Sequence, residues 1–334
     1  MKVLLYTEGL KVVGKSGLGK AIKHQQKALD YAGVLYTTDI NDDYDILHVN
    51  TYFPKSYFLV KKAKKMGKKI VYHAHSTEED YKNGFIFSKL TSKLFKKWLI
   101  KCYSMGDVIV TPTDYSKKLL EGYKGLENKK IYSLSNGIEL DMFKKDDLKK
   151  NYLRKRYNIK DSEKVVFAIG LYIERKGIVD FVELAKKMPE YKFVWFGYSP
   201  LSAATRPVKK AVNTKLDNLI FAGYVESKDI KEAMNEFDLF IFPTLEETEG
   251  IPIIEACACN CNAIVRDIPA FDGWLIDGVN CYKAKDVIEF EDKIKKILNG
   301  KLPSLTKEGY KVAKNRDLKI IGQKLKKIYE DVMK

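Results

Sequence analysis

Residues 238–258 read DLFIFPTLEETEGIPIIEACA and contain the signals of a strand, a loop and a helix in direct succession. The apolar run DLFIFPT predicts a buried strand, LEETEG a loop at its carboxyl end, and IPIIEACA a helix with Pro252 at its first position. A strand, loop and helix in this order are typical of parallel sheets covered by helices. The acidic loop is unusual in a chain whose formal net charge is +16.

The same alternation runs through both halves of the 334 residues. Further strand signals are KVLLYT, YDILHVN, KKIVYHAH and GDVIVTPT, then KVVFAIG, YKFVWFG, NLIFAG and NAIVRD. We therefore predict an α/β protein with two Rossmann-like domains whose parallel sheets face a cleft. The turn signal at Asn136 and Gly137 begins the charged segment that contains the boundary. Residues just after each strand are the site candidates, because open α/β sheets bind ligands beyond the carboxyl ends of their strands.

Composition indicates a globular protein, with 45% hydrophobic and 31% charged residues. No apolar run approaches the roughly 18–20 residues of a membrane span, and MKVLLYTEGL reads as a strand rather than a signal peptide, so we expect a cytoplasmic protein. The five Cys form no disulfide framework in this interpretation, and CACNC has the wrong spacing for a zinc site. The acidic DDYD at residues 42–45 precedes a strand and is interpreted as a turn rather than a metal motif.

Two candidate stretches lie in the first half of the chain. GKSGLGKA at residues 14–21 places Gly17 before a helix, whose N-terminus favours an anion, but it matches neither a P-loop nor the dinucleotide fingerprint. In VYHAHSTEED, strand alternation puts His73 and His75 on one face at a carboxyl end. We expect a structural role for His73, with its ring bonded to the backbone, and a functional role for His75.

Two more candidate stretches lie in the second half. In AIGLYIERKGIVDF, Arg175 and Lys176 precede the helix that Gly177 begins. Two cations at the N-terminus of that helix are unfavourable, because the N-terminus is the positive end of the helix dipole. Their position is better explained if an anion such as a diphosphate lies between them. Glu247 in the acidic loop and Glu255 in the first helical turn are carboxylates that can accept hydrogen bonds from hydroxyl groups. Together with a helix N-terminus for phosphate, they suit a sugar nucleotide.

These residues carry a family resemblance. ETEGIPIIEA resembles the Glu-x7-Glu signature of retaining family 4 glycosyltransferases, which have the GT-B fold. SNGIELDMF, FAGYV and DGVNCY resemble further segments of that family, with Cys281 in place of a Gly, and the resemblance covers most of residues 1–290. It implies retention of the α-anomer, no cofactor and no obligatory metal, so that the donor is a substrate held by protein groups alone.

The resemblance also implies roles for single residues. Glu247 contacts the donor sugar, Glu255 the nucleotide ribose and Lys176 the diphosphate. The other members of the implied site are Gly17 beside the phosphate, His75 near the reacting sugar, and Gly250 and Ile251 at the donor. The family usually has an Arg where this chain has Leu171, and we expect Arg175 to compensate.

The same resemblance assigns two domains. Residues 1–145 are expected to form an N-terminal domain that binds acceptor and membrane, joined by a C-terminal helix over 318–334. Residues 146–317 are expected to form a C-terminal domain that binds the nucleotide sugar.

Positive charge is concentrated at residues 60–101, which contain twelve Lys and no Arg against Glu78, Glu79 and Asp80. The stretch FIFSKLTSKLFKKWLIKCY at 85–103 has helical spacing. On that helix, a set of apolar residues and a set of basic residues each lie together. The apolar set is Phe87, Leu90, Leu94 and Trp98, and the basic set is Lys89, Lys93, Lys96 and Lys97. This helix either lies on an anionic membrane through Trp98 and the basic set, or packs its apolar stripe on the sheet.

The start of the chain, with YHAHSTEED and GLYIERKG, is similar to bacterial enzymes that add a second hexose to a monoglycosyl-diacylglycerol. This resemblance implies UDP-galactose or UDP-glucose as donor, a glycolipid acceptor and a peripheral location on the inner face of the cell membrane. One alternative is a cell-wall or capsular polysaccharide acceptor. Another, from a different class, is a basic nucleic-acid-binding protein, although no nucleic-acid motif occurs and we expect no nucleic-acid partner.

Overall fold

The computed structural model describes residues 1–10, 14, 16–82, 84, 86–145 and 151–334. The chain divides into two compact units: the first contains Met1–Tyr81, Leu90–Glu139 and Arg316–Lys334, and the second Lys82–Lys89 and Leu140–Asn315. Our division between residues 145 and 146 stays a prediction, because residue 146 lies outside the described residues. Lys15 and Phe85, which belong to two of the quoted stretches, also lie outside them.

The first unit is built on a parallel sheet with the strand order β2-β1-β3-β4-β5-β6. Its strands are β1 (Lys2–Tyr6), β2 (Leu35–Thr37), β3 (Ile46–Val49), β4 (Lys69–His73), β5 (Val108–Thr111) and β6 (Lys130–Ser133). Its helices are α1 (Gly17–Tyr31), α2 (Pro54–Lys65), α3 (Glu78–Lys82), α4 (Ser88–Tyr103), α5 (Asp114–Glu121) and α13 (Leu318–Met333). The four predicted strands are confirmed, and the two edge strands, β2 and β6, were not predicted.

Both faces of this sheet are buried. Val3 and Leu5 of β1 pack with residues of α1 and α13, whereas Leu4 packs with residues of α2 and α4. Successive side chains of a strand point to opposite faces, so burial on both sides requires the continuous apolar run at the start of the sequence. On the α13 side, a Cβ at Gly322 would lie 2.0 Å from the carbonyl oxygen of Ala28, so the two helices are in close backbone contact.

The second unit has a parallel sheet with the order β12-β11-β10-β7-β8-β9. Its strands are β7 (Val165–Ile169), β8 (Lys192–Phe196), β9 (Leu219–Gly223), β10 (Leu239–Phe242), β11 (Ala263–Arg266) and β12 (Tyr282–Ala284). Its helices are α6 (Tyr152–Arg156), α7 (Ile178–Lys187), α8 (Arg206–Val212), α9 (Ser227–Glu236), α10 (Ile251–Ala258), α11 (Val287–Leu298) and α12 (Thr306–Lys314). The five predicted strands are confirmed, and the edge strand β12 was not predicted. Because β7 and β10 are neighbours, the segments that follow them lie side by side.

The predicted α/β class with two parallel sheets is confirmed. All five Cys are buried and outside any disulfide, and the DDYD stretch leads into β3 as we predicted. Over the described ranges, we find no helix whose length and apolar content would let it cross a bilayer.

Candidate functional site

The segments after β7 and β10 are joined closely in the second unit. A short 3-10 turn, Glu174–Lys176, follows β7 and leads into Gly177, which has a φ of 74° and caps α7. A Cβ at Gly177 would lie 2.1 Å from the carbonyl oxygen of Pro243, so only glycine allows the turn to approach the end of β10. The backbone N–H of Leu245 donates to the carbonyl oxygen of Arg175 at 2.7 Å. These contacts bring the two cations of the turn to the acidic loop.

Glu247 pairs with both cations. The Lys176 ammonium donates to Oε1 of Glu247, and NH1 of Arg175 lies 3.7 Å from Oε2. The same carboxylate accepts from the Thr244 hydroxyl at 3.0 Å, and only 6% of Glu247 is exposed. Burial raises the pKa of Glu247, but the charges of Lys176 and Arg175 with their hydrogen bonds hold it below its ordinary value. We expected a bound anion between the cations; the structure shows that the protein's own carboxylate pairs with them.

The helix after the loop begins one residue earlier than predicted. Gly250, with a φ of 92°, caps α10, so Ile251 is its first residue and Pro252 its second. A Cβ at Gly250 would lie 2.9 Å from the Phe242 ring, which explains why a glycine ends the loop. Glu255 is therefore the fifth helical residue and begins the second turn, not the first. It is 1% exposed, and its spacing from Ile251 places the two on one face of α10.

His75 and its neighbours lie in the first unit. The rings of His73 and His75 stack with centroids 4.0 Å apart, so the prediction that they share a face is confirmed. His75 is half-buried, and its Nε2 lies 3.0 Å from Oδ1 of Asn50. Burial lowers the pKa of His75 to about 3, so the ring is neutral near pH 7. His73 is buried as expected, but its Nδ1 contacts the side chains of Gln25 and His48 rather than the backbone, which corrects our expectation.

Gly17 is the first residue of α1 and is exposed, as a glycine beside a bound anion would be. Two residues on, a Cβ at Gly19 would lie 2.3 Å from the carbonyl oxygen of Gly14. Gly19 therefore cannot carry a Cβ without a shift of the backbone, whereas a Cβ at Gly17 would meet no described atom within 4 Å.

The predicted basic helix α4 exposes most of the residues that we grouped, but not Lys96 and Trp98. Leu90 and Leu94 are 81% and 68% exposed, and Lys89, Lys93 and Lys97 are exposed beside them. The apolar stripe therefore does not pack on the sheet at these positions.

Two members of the predicted membrane set are corrected. The Trp98 indole N–H donates to the carbonyl oxygen of Tyr52 at 2.7 Å, and its ring packs against the core, so it is no outward anchor. The Lys96 ammonium pairs with Glu78 at 3.1 Å and lies 4.0 Å from the centroid of the Tyr123 ring. Lys96 is therefore half-buried and held by Glu78 and the Tyr123 ring.

The neighbouring helix α2 also has exposed basic residues. The Tyr57 and Trp98 rings lie 5.4 Å apart and join α2 to α4. We define the α2–α4 surface as the exposed residues Phe58, Lys61, Lys62, Lys64, Lys65, Lys89, Leu90, Lys93, Leu94, Lys97 and Lys101. It combines apolar side chains with lysines, a combination that suits the boundary between water and an anionic bilayer.

Sequence reasoning missed the partners that orient the candidate residues. Thr244, Asn50 and Gln25 bond to Glu247, His75 and His73, respectively. Asn50 and Thr244 each follow a strand end, so the rule that placed His75 and Glu247 at the site could have found them as well. Gln25 lies inside a helix and gave no such signal.

The second unit thus offers a buried carboxylate, two cations and a helix N-terminus at neighbouring strand ends. The cations can neutralise phosphate, and the carboxylates can accept hydrogen bonds from sugar hydroxyls. In the part of the chain that the structure describes, no group of three or more His, Cys, Asp or Glu is placed to hold a metal ion.

Comparison with known families agrees with this chemistry. The family model "Glycosyl transferases group 1" matches residues 149–316, and "Glycosyltransferase Family 4" matches residues 17–142. The chain belongs to this family and is a glycosyltransferase by class. Within it, the chain is 38% identical over 336 residues to the processive diacylglycerol alpha-glucosyltransferase of Acholeplasma laidlawii, covering 100% of this chain and 99% of that protein.

Further likenesses support the family and the fold. The chain is 22% identical over 281 residues to the alpha-galactosylglucosyldiacylglycerol synthase of Streptococcus pneumoniae, covering 81% of this chain and 74% of the relative. Sucrose-phosphate synthase from Thermosynechococcus elongatus matches the structure with a TM-score of 0.80 at 15% identity, over 100% of this chain and 99% of that one. Anabaena Alr3699/HepE, in complex with UDP and glucose, matches with a TM-score of 0.75 at 15% identity, over 99% of each chain. The predicted GT-B fold is confirmed.

Proposed function

We propose that this chain transfers glucose or galactose from a UDP-sugar to monoglucosyl-diacylglycerol, with retention of the α-anomer, and so makes a diglycosyl-diacylglycerol. The observation that carries the donor half is the buried cluster of Lys176, Arg175 and Glu247 beside the N-terminus of α10. Two cations and a helix N-terminus match the charge of a diphosphate, and carboxylates match sugar hydroxyls.

The acceptor half is supported by the relatives. The Acholeplasma protein is named as a processive diacylglycerol alpha-glucosyltransferase, and the Streptococcus protein as an alpha-galactosylglucosyldiacylglycerol synthase. Both names describe α-linked sugars on diacylglycerol, and the first relative spans this chain from end to end. We extend that substrate class to this protein. The polysaccharide alternative has no comparable support, and family membership makes the nucleic-acid-binding alternative unnecessary.

In the proposed reaction, the donor diphosphate takes the place of the Glu247 carboxylate at Lys176 and Arg175. The cations then stabilise the negative charge that develops as the glycosidic bond of the donor breaks. Glu247, once released, accepts hydrogen bonds from the transferred sugar, and Glu255 accepts them from the ribose. In the second unit, Gly250 and Ile251 line the donor, and the family resemblance gives Gly17 of the first unit a role beside the phosphate and His75 a role near the reacting sugar. No metal is required in this scheme, because the two cations neutralise the leaving group.

The acceptor has to be met at a membrane, and the α2–α4 surface is the part of the first unit that suits one. Its lysines attract anionic headgroups, at about 1 kcal/mol for each Lys close to the surface, and Leu90 and Leu94 can enter the boundary region. We therefore propose peripheral association with the anionic inner face of the cell membrane.

Radiolabelled UDP-glucose or UDP-galactose, offered with anionic vesicles that contain monoglucosyl-diacylglycerol, tests the proposal. We expect a lipid-extractable diglycosyl product with an α-linkage by NMR, formed equally well with EDTA. Vesicles with diacylglycerol alone measure whether the first hexose is also added. Transfer only to a water-soluble polysaccharide would refute the acceptor, and activity that EDTA abolishes and magnesium restores would refute metal independence.

A further inference from the structure

A buried network of polar side chains lies behind His75. Asn50, which directly follows β3, contacts His75 through Oδ1 at 3.0 Å and donates from Nδ2 to Oε1 of Gln25 at 2.8 Å. The Gln25 amide, on α1, reaches Nε2 of His48 at 2.9 Å and Nδ1 of His73 at 3.2 Å. His48 then contacts the Tyr329 hydroxyl at 2.6 Å through Nδ1. The network therefore joins α1, β3, β4 and α13.

The network restricts the proton position on His75. Nδ2 of Asn50 is occupied as a donor to Gln25, so the atom that faces His75 is an oxygen, which only accepts. With the Asn50 and Gln25 amides in this orientation, Nε2 of His75 carries the ring proton. A neutral imidazole has one proton, so Nδ1 of His75 keeps its lone pair.

Packing fixes the ring as well as its proton. The His73 ring stacks on that of His75 with an interplanar angle of 7°, and Asn50 is 2% exposed. Within the described ranges, the ring of His75 makes no hydrogen bond other than the one through Nε2. Nδ1 is thus left as the one ring atom able to accept a proton or a hydrogen bond from a ligand.

We propose that Asn50 is a positioning residue that holds His75 as the Nε2–H tautomer, so that its Nδ1 lone pair is presented as an acceptor to a hydroxyl group of the bound sugar or acceptor. This inference rests on the proposed place of His75 beside the reacting sugar. Gln25 sets the direction of the Asn50 amide, and His48 with Tyr329 sets that of Gln25. The buried environment, which lowers the pKa of His75 and of His48 to about 3, keeps the rings neutral.

Nitrogen NMR of the protein with 15N-labelled histidine tests the tautomer directly. The chain has four His, so four sets of ring signals appear, and loss of one set in His75→Asn assigns that residue. In the wild-type protein at pH 7, we expect a protonated Nε2 and an unprotonated Nδ1 for His75. A protonated Nδ1 would overturn the proposal. The wild-type measurement needs no variant to fold.

Three substitutions connect the tautomer to turnover. Asn50→Leu removes the acceptor, so we expect mixed tautomers at His75 and kcat lowered by about tenfold or more, with little change in the KM of the donor. Asn50→Asp keeps an acceptor oxygen toward Nε2 of His75, so Nε2 should stay protonated, and the added negative charge should favour protonation of Nδ1 as well. Asn41→Leu, at an exposed position of the same unit, is the matched control and should resemble the wild type.

The outcomes separate this inference from the proposed function. Wild-type His75 signals and wild-type kcat in a folded Asn50→Leu protein would refute the role of Asn50, even if glycolipid synthesis is confirmed. Absence of transfer to every lipid acceptor would refute the proposed function, while the NMR result would still decide the tautomer, because it requires neither donor nor acceptor.

Discussion

Lys176 and Glu247 are 71 residues apart in the sequence, yet their side chains form a buried ion pair at the candidate donor site. Glu247 also has Arg175 and Thr244 as partners, so it does not depend on Lys176 alone for its charge to be tolerated. Lys176 can therefore be removed without leaving an isolated buried carboxylate, which makes it a usable test of the donor site.

We predict that Lys176→Ala weakens UDP binding by roughly 1.5–3 kcal/mol, the free energy typical of one hydrogen bond to a charged group. Calorimetric titration of UDP measures the loss, and thermal unfolding shows whether the variant remains folded. Lys186→Ala, which removes an exposed Lys of α7, is the matched control and should bind UDP as the wild type does. Equal affinity of the two variants would place the diphosphate elsewhere.

We predict that Glu247→Gln does not weaken UDP binding, in contrast to Lys176→Ala. The substitution keeps the size of the side chain but removes the negative charge that pairs with Lys176 and Arg175, so we expect UDP to bind at least as tightly as in the wild type. Turnover should fall by about tenfold or more, because an amide accepts weaker hydrogen bonds from the sugar than a carboxylate. Binding and steady-state kinetics on one preparation separate the two effects. Unchanged kcat would remove Glu247 from the reaction.

The helix α4 carries two kinds of lysine, and the distinction is visible only in the structure. Lys89, Lys93 and Lys97 are exposed beside Leu90 and Leu94, whereas Lys96 is half-buried and pairs with Glu78. A helical wheel groups all four lysines, because it shows angular position but not which neighbouring element supplies a partner.

We predict that Lys89→Gln, Lys93→Gln and Lys97→Gln together reduce binding to anionic vesicles and leave UDP binding intact. Wild-type binding should also weaken as salt rises, since the Debye length falls to about 3 Å at 1 M. Vesicle flotation with increasing anionic lipid is the measurement. Lys307→Gln, Lys311→Gln and Lys314→Gln on α12 remove the same charge from another exposed helix and should have a smaller effect.

Single-site changes on α4 sharpen this test. Leu90→Gln with Leu94→Gln should weaken vesicle binding without lowering the melting temperature, because both side chains are largely exposed. Lys96→Gln should lower the melting temperature and keep vesicle binding. If the triple α4 variant floats as well as the wild type, the α2–α4 surface is not the membrane contact.

Sequence patterns predicted the central strands of both sheets and one edge strand, β9, and missed the edge strands β2, β6 and β12. The central strands have apolar runs that are buried on both faces, whereas β2 and β12 have three residues each and little pattern. In the site, the rule that ligand residues follow strand ends found His75 and Glu247. It did not find that Glu247 neutralises Lys176, or that Gln25 of α1 connects three strand-end residues, because such pairings depend on how separate elements pack.

At the scale of the whole chain, all four His are held neutral in the first unit. Burial lowers the pKa of His48 and His75 to about 3 and that of His24 to about 4, and it also lowers the pKa of His73. The unfolded chain binds protons at these groups below about pH 6.5, and the folded chain does not. Stability is therefore complete above that pH and decreases as the pH falls from 6.5 toward 4.

We predict that the free energy of unfolding decreases between pH 7 and pH 5, by up to about 1.4 kcal/mol per pH unit for each His that stays neutral. Urea unfolding at several pH values measures the slope. His48→Gln should reduce the slope of the free energy of unfolding against pH, whatever its effect on the free energy at pH 7. The pKa of Glu247 is lowered, so its contribution is lost only at more acidic pH and does not account for this window. A pH-independent free energy would show that the rings are not neutral in the fold.

The return of α13 to the first unit has a consequence for how the protein is made. Residues 318–333 follow the second unit in chain order, and they supply Leu318, Ile321, Leu325 and Tyr329 to the core of a sheet that begins at Lys2. During synthesis, the described strands of the second unit have all emerged once residue 284 has, whereas one face of the first sheet is covered only when α13 follows. A nascent chain that has not yet reached α13 therefore exposes that apolar face, and the first unit completes its core after the second has all of its described strands.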